Sequence, residues 1–184
     1  MKNMLLKRRS IRKYTDAPIE SEKVEQLIRA GLLSPTSRNG RAWEFIIVDD
    51  KKVLGKLSEA KTGAQALKGA ALGIVVLADP QKSDVWVEDT SIATIILQLT
   101  AQSLGLGSCW IQIRERMHKD GITAEQYVRE VLEIPENLKV ATIVSLGYPA
   151  ESRPAHTEDE LLQDKIHWNV FGKANRPLGP HVSE

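Results

Sequence analysis

A continuous apolar run from Gly73 to Ala78 is the feature that most constrains the fold of this chain. Its sequence is GIVVLA, and Asp79-Pro80 follows it directly. A strand-length segment without polar alternation is typical of the centre of a sheet that is covered on both faces. The chain must therefore supply further strands beside this run and helices above and below it.

Three more segments have the composition of strands, and four have helical patterns. The strand segments are rich in β-branched and other apolar residues, and the helical segments repeat apolar residues every three to four positions. The predicted strands are 43–48, 108–113 and 140–146, and the predicted helices are 21–33, 51–59, 84–104 and 123–132. Strands interspersed with helices indicate a layered domain of the α+β or α/β class. At 184 residues the chain has the length of one such domain.

The predicted helix 84–104 is apolar on almost every side. A helix of this kind must be buried all round, either in a core or in a subunit interface. We expect Ser83 or Asp84 to cap its N-terminus, and Ser21 and Thr123 to cap the helices that begin beside them.

Composition excludes several classes of function. The net charge is +1, from 25 basic and 24 acidic side chains, which argues against a protein that binds nucleic acid mainly through phosphates. The apolar stretch 92–113 is interrupted by polar residues and glycines, so we expect no membrane span. A single cysteine, Cys109, and an N-terminal apolar segment too short for a signal peptide predict a cytoplasmic protein.

A basic segment from Lys7 to Lys13 is the main candidate for a functional site. It holds five cations and one hydroxyl, that of Ser10, in seven residues. The residues alone leave three interpretations open: an anion site, a solvated terminal arm, or a nucleic-acid contact. The near-neutral net charge favours a local site for one small anion.

Other motifs predict no catalytic centre made of side chains. Residues 105–107 begin like a dinucleotide fingerprint, but Trp110 stands where its third glycine belongs, and the motif follows a helix. Cys109 lies in an apolar run and is interpreted as a core residue. No metal site is expected, because the histidines lack ligand spacing. These histidines are His118, His156, His167 and His181. Cationic and hydrogen-bonding groups without a nucleophile are typical of proteins whose bound cofactor does the chemistry.

Four motifs in register resemble the FMN-dependent nitroreductase family over about residues 4 to 172. They are Arg8-Arg9-Ser10-Ile11-Arg12, residues 34–39 leading to Trp43, residues 104–111, and Ser145-Leu146-Gly147-Tyr148-Pro149. The resemblance implies an α+β fold with a central, mainly antiparallel sheet flanked by helices. It also implies a single domain over 1–184 and an intertwined homodimer with FMN at the interface. In that dimer the residues from about 150 onward would be a C-terminal extension that wraps the partner subunit, and helix 84–104 would be interface.

The resemblance also assigns cofactor-binding roles within the basic segment and beyond it. Arg8 and Ser10 resemble the positions that hold the FMN phosphate and ribityl chain, and a guanidinium fork suits phosphate geometry. Arg12 resembles the cation at the flavin pyrimidine edge. The resemblance counts Arg9 among the cofactor-binding residues; the alternative interpretation is that Arg9 only adds charge to the surface. The further positions are Gln65 and Lys68 on the pyrimidine edge, Pro35, Thr36, Ser37 and Asn39 in a loop from the opposite subunit, Trp110, Ile111 and Gln112 along the flavin, and Lys165 and His167 as a late phosphate pair.

The function implied by the resemblance is NAD(P)H-dependent. Hydride would pass from the nicotinamide to flavin N5 and then to an electron-poor acceptor, such as a nitroaromatic or a quinone, by a ping-pong mechanism without an obligatory side-chain base. The alternatives are a non-catalytic flavin- or anion-binding module and a reductive dehalogenase on the same fold. Arg41 and His167 depart from the common family pattern, and a solvated tail is the alternative for Lys165 and His167.

Overall fold

The structure, a computed structural model, describes residues 2–173; the end of the predicted C-terminal extension and His181 lie outside this range. Five α-helices and four strands make up the described part. The helices are α1 Lys2–Lys7, α2 Ser21–Leu32, α3 Lys51–Leu57, α4 Trp86–Ser103 and α5 Ala124–Leu132. The strands are β1 Trp43–Val48, β2 Leu72–Ala78, β3 Gly107–Gln112 and β4 Lys139–Gly147. Short 3₁₀ turns lie at Ser37–Asn39, Gln65–Gly69, Lys119–Gly121, Glu158–Glu160 and Gln163–Lys165.

The four strands form one sheet in the order β1-β2-β4-β3, and every pair is antiparallel. This confirms the α+β class with a central antiparallel sheet and excludes the α/β alternative. The predicted central strand is confirmed as well, because all seven residues of β2 are buried. Strand β3 lies at an edge of the sheet, and this position matters for the site described below.

Helices cover both faces of the sheet, so the core has two parts, one on each face. Val75 and Leu77 of β2 point toward α3 and α5, where Leu54 and Val128 pack. Their neighbours Ile74 and Val76 point to the opposite face, where α2 and α4 pack. The two faces alternate along β2 because successive side chains of a strand point to opposite sides.

Two of the predicted helix caps are wrong. Residue Glu20 stands at the N-cap of α2 and Val85 at that of α4, and neither makes a side-chain cap bond. Ser83 lies two residues before the N-cap position, and its hydroxyl donates to the carboxylate of Asp89, 3.0 Å away. The predicted cap at Thr123 is confirmed, since its Oγ1 accepts the backbone N–H of Gln126 at 3.0 Å.

Within one chain, α4 is not buried all round. Ile92 and Ile95 are 38% and 37% exposed, although the rest of the helix contributes Ala93, Leu97 and Ala101 to the core. Residues 152–173 are exposed throughout, with Leu162 and Phe171 at 68% and 89%. Among residues 2–173, no helix combines the length and the apolar character needed to span a membrane.

Candidate functional site

The basic segment continues from α1 and runs along the outer edge of β3. Ser10 pairs with Ser108 in a parallel bridge, and the backbone N–H of Ile11 donates to Ser108 O at 2.9 Å. This approach is possible because residue 107 is a glycine: a Cβ there would lie 2.8 Å from Ile11 Cγ2. Gly107, which belongs to the apparent dinucleotide motif, therefore lets the basic segment lie close to the backbone of β3.

Tyr14 fixes the end of this segment to β4. Its hydroxyl lies 2.6 Å from the Ile11 carbonyl and 2.9 Å from the hydroxyl of Ser145. Its ring packs on Gly147, where a Cβ would lie 2.9 Å from the ring carbon Cγ. Burial raises the pKa of Tyr14 well above its ordinary value, so the hydroxyl stays neutral and keeps its proton for the Ile11 carbonyl.

The chain after β4 returns antiparallel to the basic segment and holds it from the other side. Three backbone bonds of 2.9 Å and two side-chain bonds connect the two segments. They run from Thr15 N to Tyr148 O, from Ala150 N to Lys13 O, from His156 N to Leu6 O, from Arg12 N to Glu151 Oε1 at 2.6 Å, and from the Arg9 guanidinium to Pro154 O. The basic segment is therefore a built part of the fold, and the solvated-arm interpretation is wrong.

A cavity of about 260 Å³, here called the cationic cavity, lies between these two segments. It is lined by Arg8, Arg9, Ser10, Arg12, Arg153 and His156. None of these lining residues is acidic, so the cavity presents guanidinium groups, an imidazole and a hydroxyl to its contents. Such a set of donors suits an oxyanion such as a phosphate.

Two carboxylates outside the cavity bond to residues that line it. Glu151 accepts the Arg12 backbone N–H at 2.6 Å and pairs with Arg153 at 3.0 Å. The Arg12 N–H bond is the main cause of the lowered pKa of Glu151. Glu160 lies 2.5 Å from His156 Nδ1, and this bond lowers the pKa of Glu160.

Arg153 and His156 were not among the predicted site residues. They lie in a charged, proline-containing segment whose composition is that of an exposed tail. What brings them to the cavity is the antiparallel pairing of that segment with the basic segment, a tertiary contact without a local sequence signal.

Gln65 and Lys68 line a second, separate cavity of about 450 Å³. Both are exposed on the short turn Gln65–Gly69. The cavity also contains Lys61 and His118, whose ring stacks on Tyr127 with the centroids 4.1 Å apart. Burial raises the pKa of the Cys109 thiol, and the charges of Arg12 and Lys61 oppose this shift. Cys109 is confirmed as a core residue, 3% exposed.

The predicted flavin segment, Trp110 to Gln112, lies on β3 itself. Ile111 is 1% exposed and lies in the core. Trp110 Nε1 donates to Gln112 Oε1 at 3.0 Å, and Gln112 Nε2 donates to Arg114 O at 3.1 Å. Because β3 is an edge strand, part of its backbone faces away from the sheet.

The remaining predicted residues lie away from both cavities within one chain. Pro35, Thr36, Ser37 and Asn39 belong to a loop of residues 34–41, the 34–41 loop, which is tied to α4 through a bond from Ser37 N to Asp89 Oδ1 of 2.9 Å. Lys165 is exposed and lies 3.6 Å from Asp164. The exposed ring of His167 lies against Phe171, with centroids 4.3 Å apart. These cofactor-binding roles stay predictions.

Fold and site together define a class: an α+β protein whose antiparallel sheet carries a cationic cavity beside its edge strand. The sequence matches the model of the nitroreductase family at residues 5–79 and 55–148, and the chain belongs to that family.

Relatives support this membership. An Archaeoglobus fulgidus protein with the provisional name NADH dehydrogenase/NAD(P)H nitroreductase is 41% identical over 169 residues, covering 89% of this chain and 94% of its own. The FMN reductase [NAD(P)H] of Bacillus subtilis is 28% identical, over 86% of this chain and 73% of its own. Among solved structures, the FMN-dependent nitroreductase of Clostridium difficile R20291 superposes with a TM-score of 0.91 at 49% identity, covering 93% of this chain and 100% of its own.

Proposed function

We propose that the chain is an FMN-dependent oxidoreductase that uses NAD(P)H to reduce an electron-poor acceptor, such as a nitroaromatic or a quinone, by a ping-pong mechanism. The cationic cavity is the observation that carries this proposal. Relatives named for FMN and NAD(P)H support it, because FMN ends in a phosphate that matches the lining of this cavity. When bound, FMN supplies the hydride transfer between the nicotinamide and the acceptor.

The residues of the cavity fit the FMN phosphate. Arg8 and Ser10 would hold it as predicted, and Arg153 and His156 add two further donors from the same chain. Arg9 donates to Pro154 O and so helps to shape the wall. Arg12 would place positive charge at the pyrimidine edge of the flavin, and Gln65 and Lys68 of the second cavity would lie on that same edge. Positive charge there favours the reduced cofactor.

We further propose that the working unit is a homodimer. Three features support it: the exposed Ile92 and Ile95 of α4, the exposed apolar side chains after residue 160, and the 34–41 loop, which reaches neither cavity in its own chain. In the dimer, the C-terminal segment would wrap the partner, and the 34–41 loop would complete the partner's FMN site. Light scattering should then give a mass of twice 20.5 kDa; a mass of 20.5 kDa at working concentration would contradict the dimer.

The test of the function is spectroscopic first and kinetic second. Purified protein incubated with FMN and then desalted should retain flavin absorbance, which NADH or NADPH should bleach without oxygen. Addition of a nitroaromatic or a quinone should restore the absorbance. Protein that stays colourless would contradict the proposal. Protein that binds FMN whose flavin neither nucleotide reduces would be a flavin carrier.

A further inference from the structure

Asp89 is a buried carboxylate in the first turn of α4 that lines neither cavity. It is 3% exposed, and both of its oxygens are bonded. Oδ1 accepts the backbone N–H of Ser37 at 2.9 Å, and Oδ2 accepts the hydroxyl of Ser83 at 3.0 Å. A buried charge is costly unless it is hydrogen-bonded. The bond from Ser37 N is therefore one of the two that keep the Asp89 carboxylate stable in this position, and it connects Asp89 to the 34–41 loop.

The loop that Asp89 holds has an unusual backbone. Arg38, Asn39 and Arg41 have φ angles of 51°, 54° and 46°, in the left-handed region that residues other than glycine rarely adopt. Such conformations persist only where surrounding contacts enforce them, and they cluster at ligand sites. Inside the loop, Arg41 N donates to Thr36 Oγ1 at 3.1 Å and Arg41 Nε donates to Asn39 Oδ1 at 3.0 Å. Asp89 supplies a bond from outside the loop.

The helix that carries Asp89 also exposes Ile92 and Ile95, one to two turns further on. One element therefore presents apolar surface to a partner and fixes the backbone of the 34–41 loop. A displacement of α4 at this apolar surface would therefore also move Asp89, which accepts the backbone N–H of Ser37.

We propose that Asp89 is a positioning residue for FMN binding: Ser83 holds its carboxylate in place, and its bond to Ser37 N holds the 34–41 loop in the shape that receives the flavin of the partner subunit. The inference rests on the proposed function, because the ligand of the loop is FMN. Asp89 touches no cofactor atom itself. The alternative is a purely structural role, in which its charge stabilises the N-terminal end of α4.

Three variants of the full chain separate these roles, with FMN affinity measured by flavin fluorescence on the apoprotein. Asp89→Ala removes both bonds and should weaken FMN at least about tenfold, since a charge-assisted bond and the order of the loop are lost. Asp89→Asn removes the charge but keeps an acceptor for Ser37 and a donor toward Ser83, so FMN affinity should stay within about threefold. Thr94→Val, on the same helix, removes a buried bond of 2.9 Å to Thr142 and should leave affinity unchanged while lowering thermal stability.

The outcomes are distinct from those of the function test. Wild-type protein that binds no FMN refutes the proposed function, whereas wild-type binding with an unchanged Asp89→Ala variant refutes the role of Asp89 alone. Equal losses in Asp89→Asn and Asp89→Ala would assign the effect to charge and overturn the hydrogen-bond account. If Asp89→Ala does not fold, Ser83→Ala removes only one of the two bonds. It should weaken FMN about threefold, and an unchanged affinity would again overturn the proposal.

Discussion

The side chain of Ile11 lies directly against the backbone of Gly107, so close that a Cβ at this glycine would stand 2.8 Å from Ile11 Cγ2 and 2.9 Å from Ile11 Cβ. This contact places the basic segment against the edge strand of the sheet. The cationic cavity depends on it, because Arg8, Ser10 and Arg12 take their positions from the path of that segment.

Gly107→Ala should therefore destabilise the fold and the cavity together. The new methyl group meets the branched Cβ of Ile11, which no rotamer can move away, so we expect a loss of about 1–3 kcal/mol in the free energy of unfolding. Gly55→Ala is the matched control: nothing lies within 4 Å of its added Cβ on α3, and alanine there should stabilise by about 0.5–1 kcal/mol. Urea unfolding measures both; equal effects of the two variants would contradict the packing argument.

Tyr14→Phe removes the hydroxyl that joins the basic segment to Ser145. We expect a loss of about 1–2 kcal/mol at neutral pH, because the Ile11 carbonyl and the buried Ser145 hydroxyl lose a partner.

The same hydroxyl predicts a pH dependence. Burial raises the pKa of Tyr14 in the folded state above the ordinary 10.0, so its contribution to stability is complete below about pH 10 and declines as the pH rises further. Unfolding free energies from pH 7 to 11 should show the difference between wild type and Tyr14→Phe shrinking above pH 10. A difference that grows in that range would show that the pKa is shifted the other way.

The Cys109 thiol should react slowly. Burial raises its pKa above the ordinary 9.0, so little thiolate forms at pH 8. Labelling with iodoacetamide should be at least about tenfold slower in the folded protein than in urea. Arg12→Met removes the larger of the two opposing contributions, and it should raise the pH at which labelling reaches half its maximal rate. A midpoint below pH 9 in the wild type would refute this description of Cys109.

Arg8→Met should weaken FMN more than riboflavin, because in the proposed function the lost guanidinium would hold the phosphate that riboflavin lacks. We expect at least about a tenfold loss for FMN and less than about a twofold change for riboflavin. Lys13→Met is the matched control from the same segment, since Lys13 is exposed and does not line the cavity. Equal losses for both flavins in Arg8→Met would place this residue away from the phosphate.

Much of the fold could be predicted from the sequence, since burial leaves a local signal. The apolar run that became β2 and the cap at Thr123 are decided by residues within a few positions. Helix α1 was not predicted, because Met4-Leu5-Leu6 offers one apolar turn among charges. Its place depends on the His156 N–H bonding to Leu6 O, which connects residues 150 positions apart.

The site was predictable where its residues form a motif and not where they come together through folding. Arg8, Ser10 and Arg12 were found because they share one short segment. Arg153 is placed by its partner Glu151, which also bonds to Arg12 N. Asp89 looks like an ordinary first-turn helical acid until its contact with Ser37 is seen.

In the proposed function, the basic segment, closed by residues 148–156, binds the phosphate of FMN. The most direct test is the ratio of the dissociation constants of riboflavin and FMN for the wild-type apoprotein, measured in one buffer by flavin fluorescence. With several cations around the phosphate, FMN should bind at least about a hundredfold more tightly than riboflavin. Equal affinities for the two flavins would contradict the account.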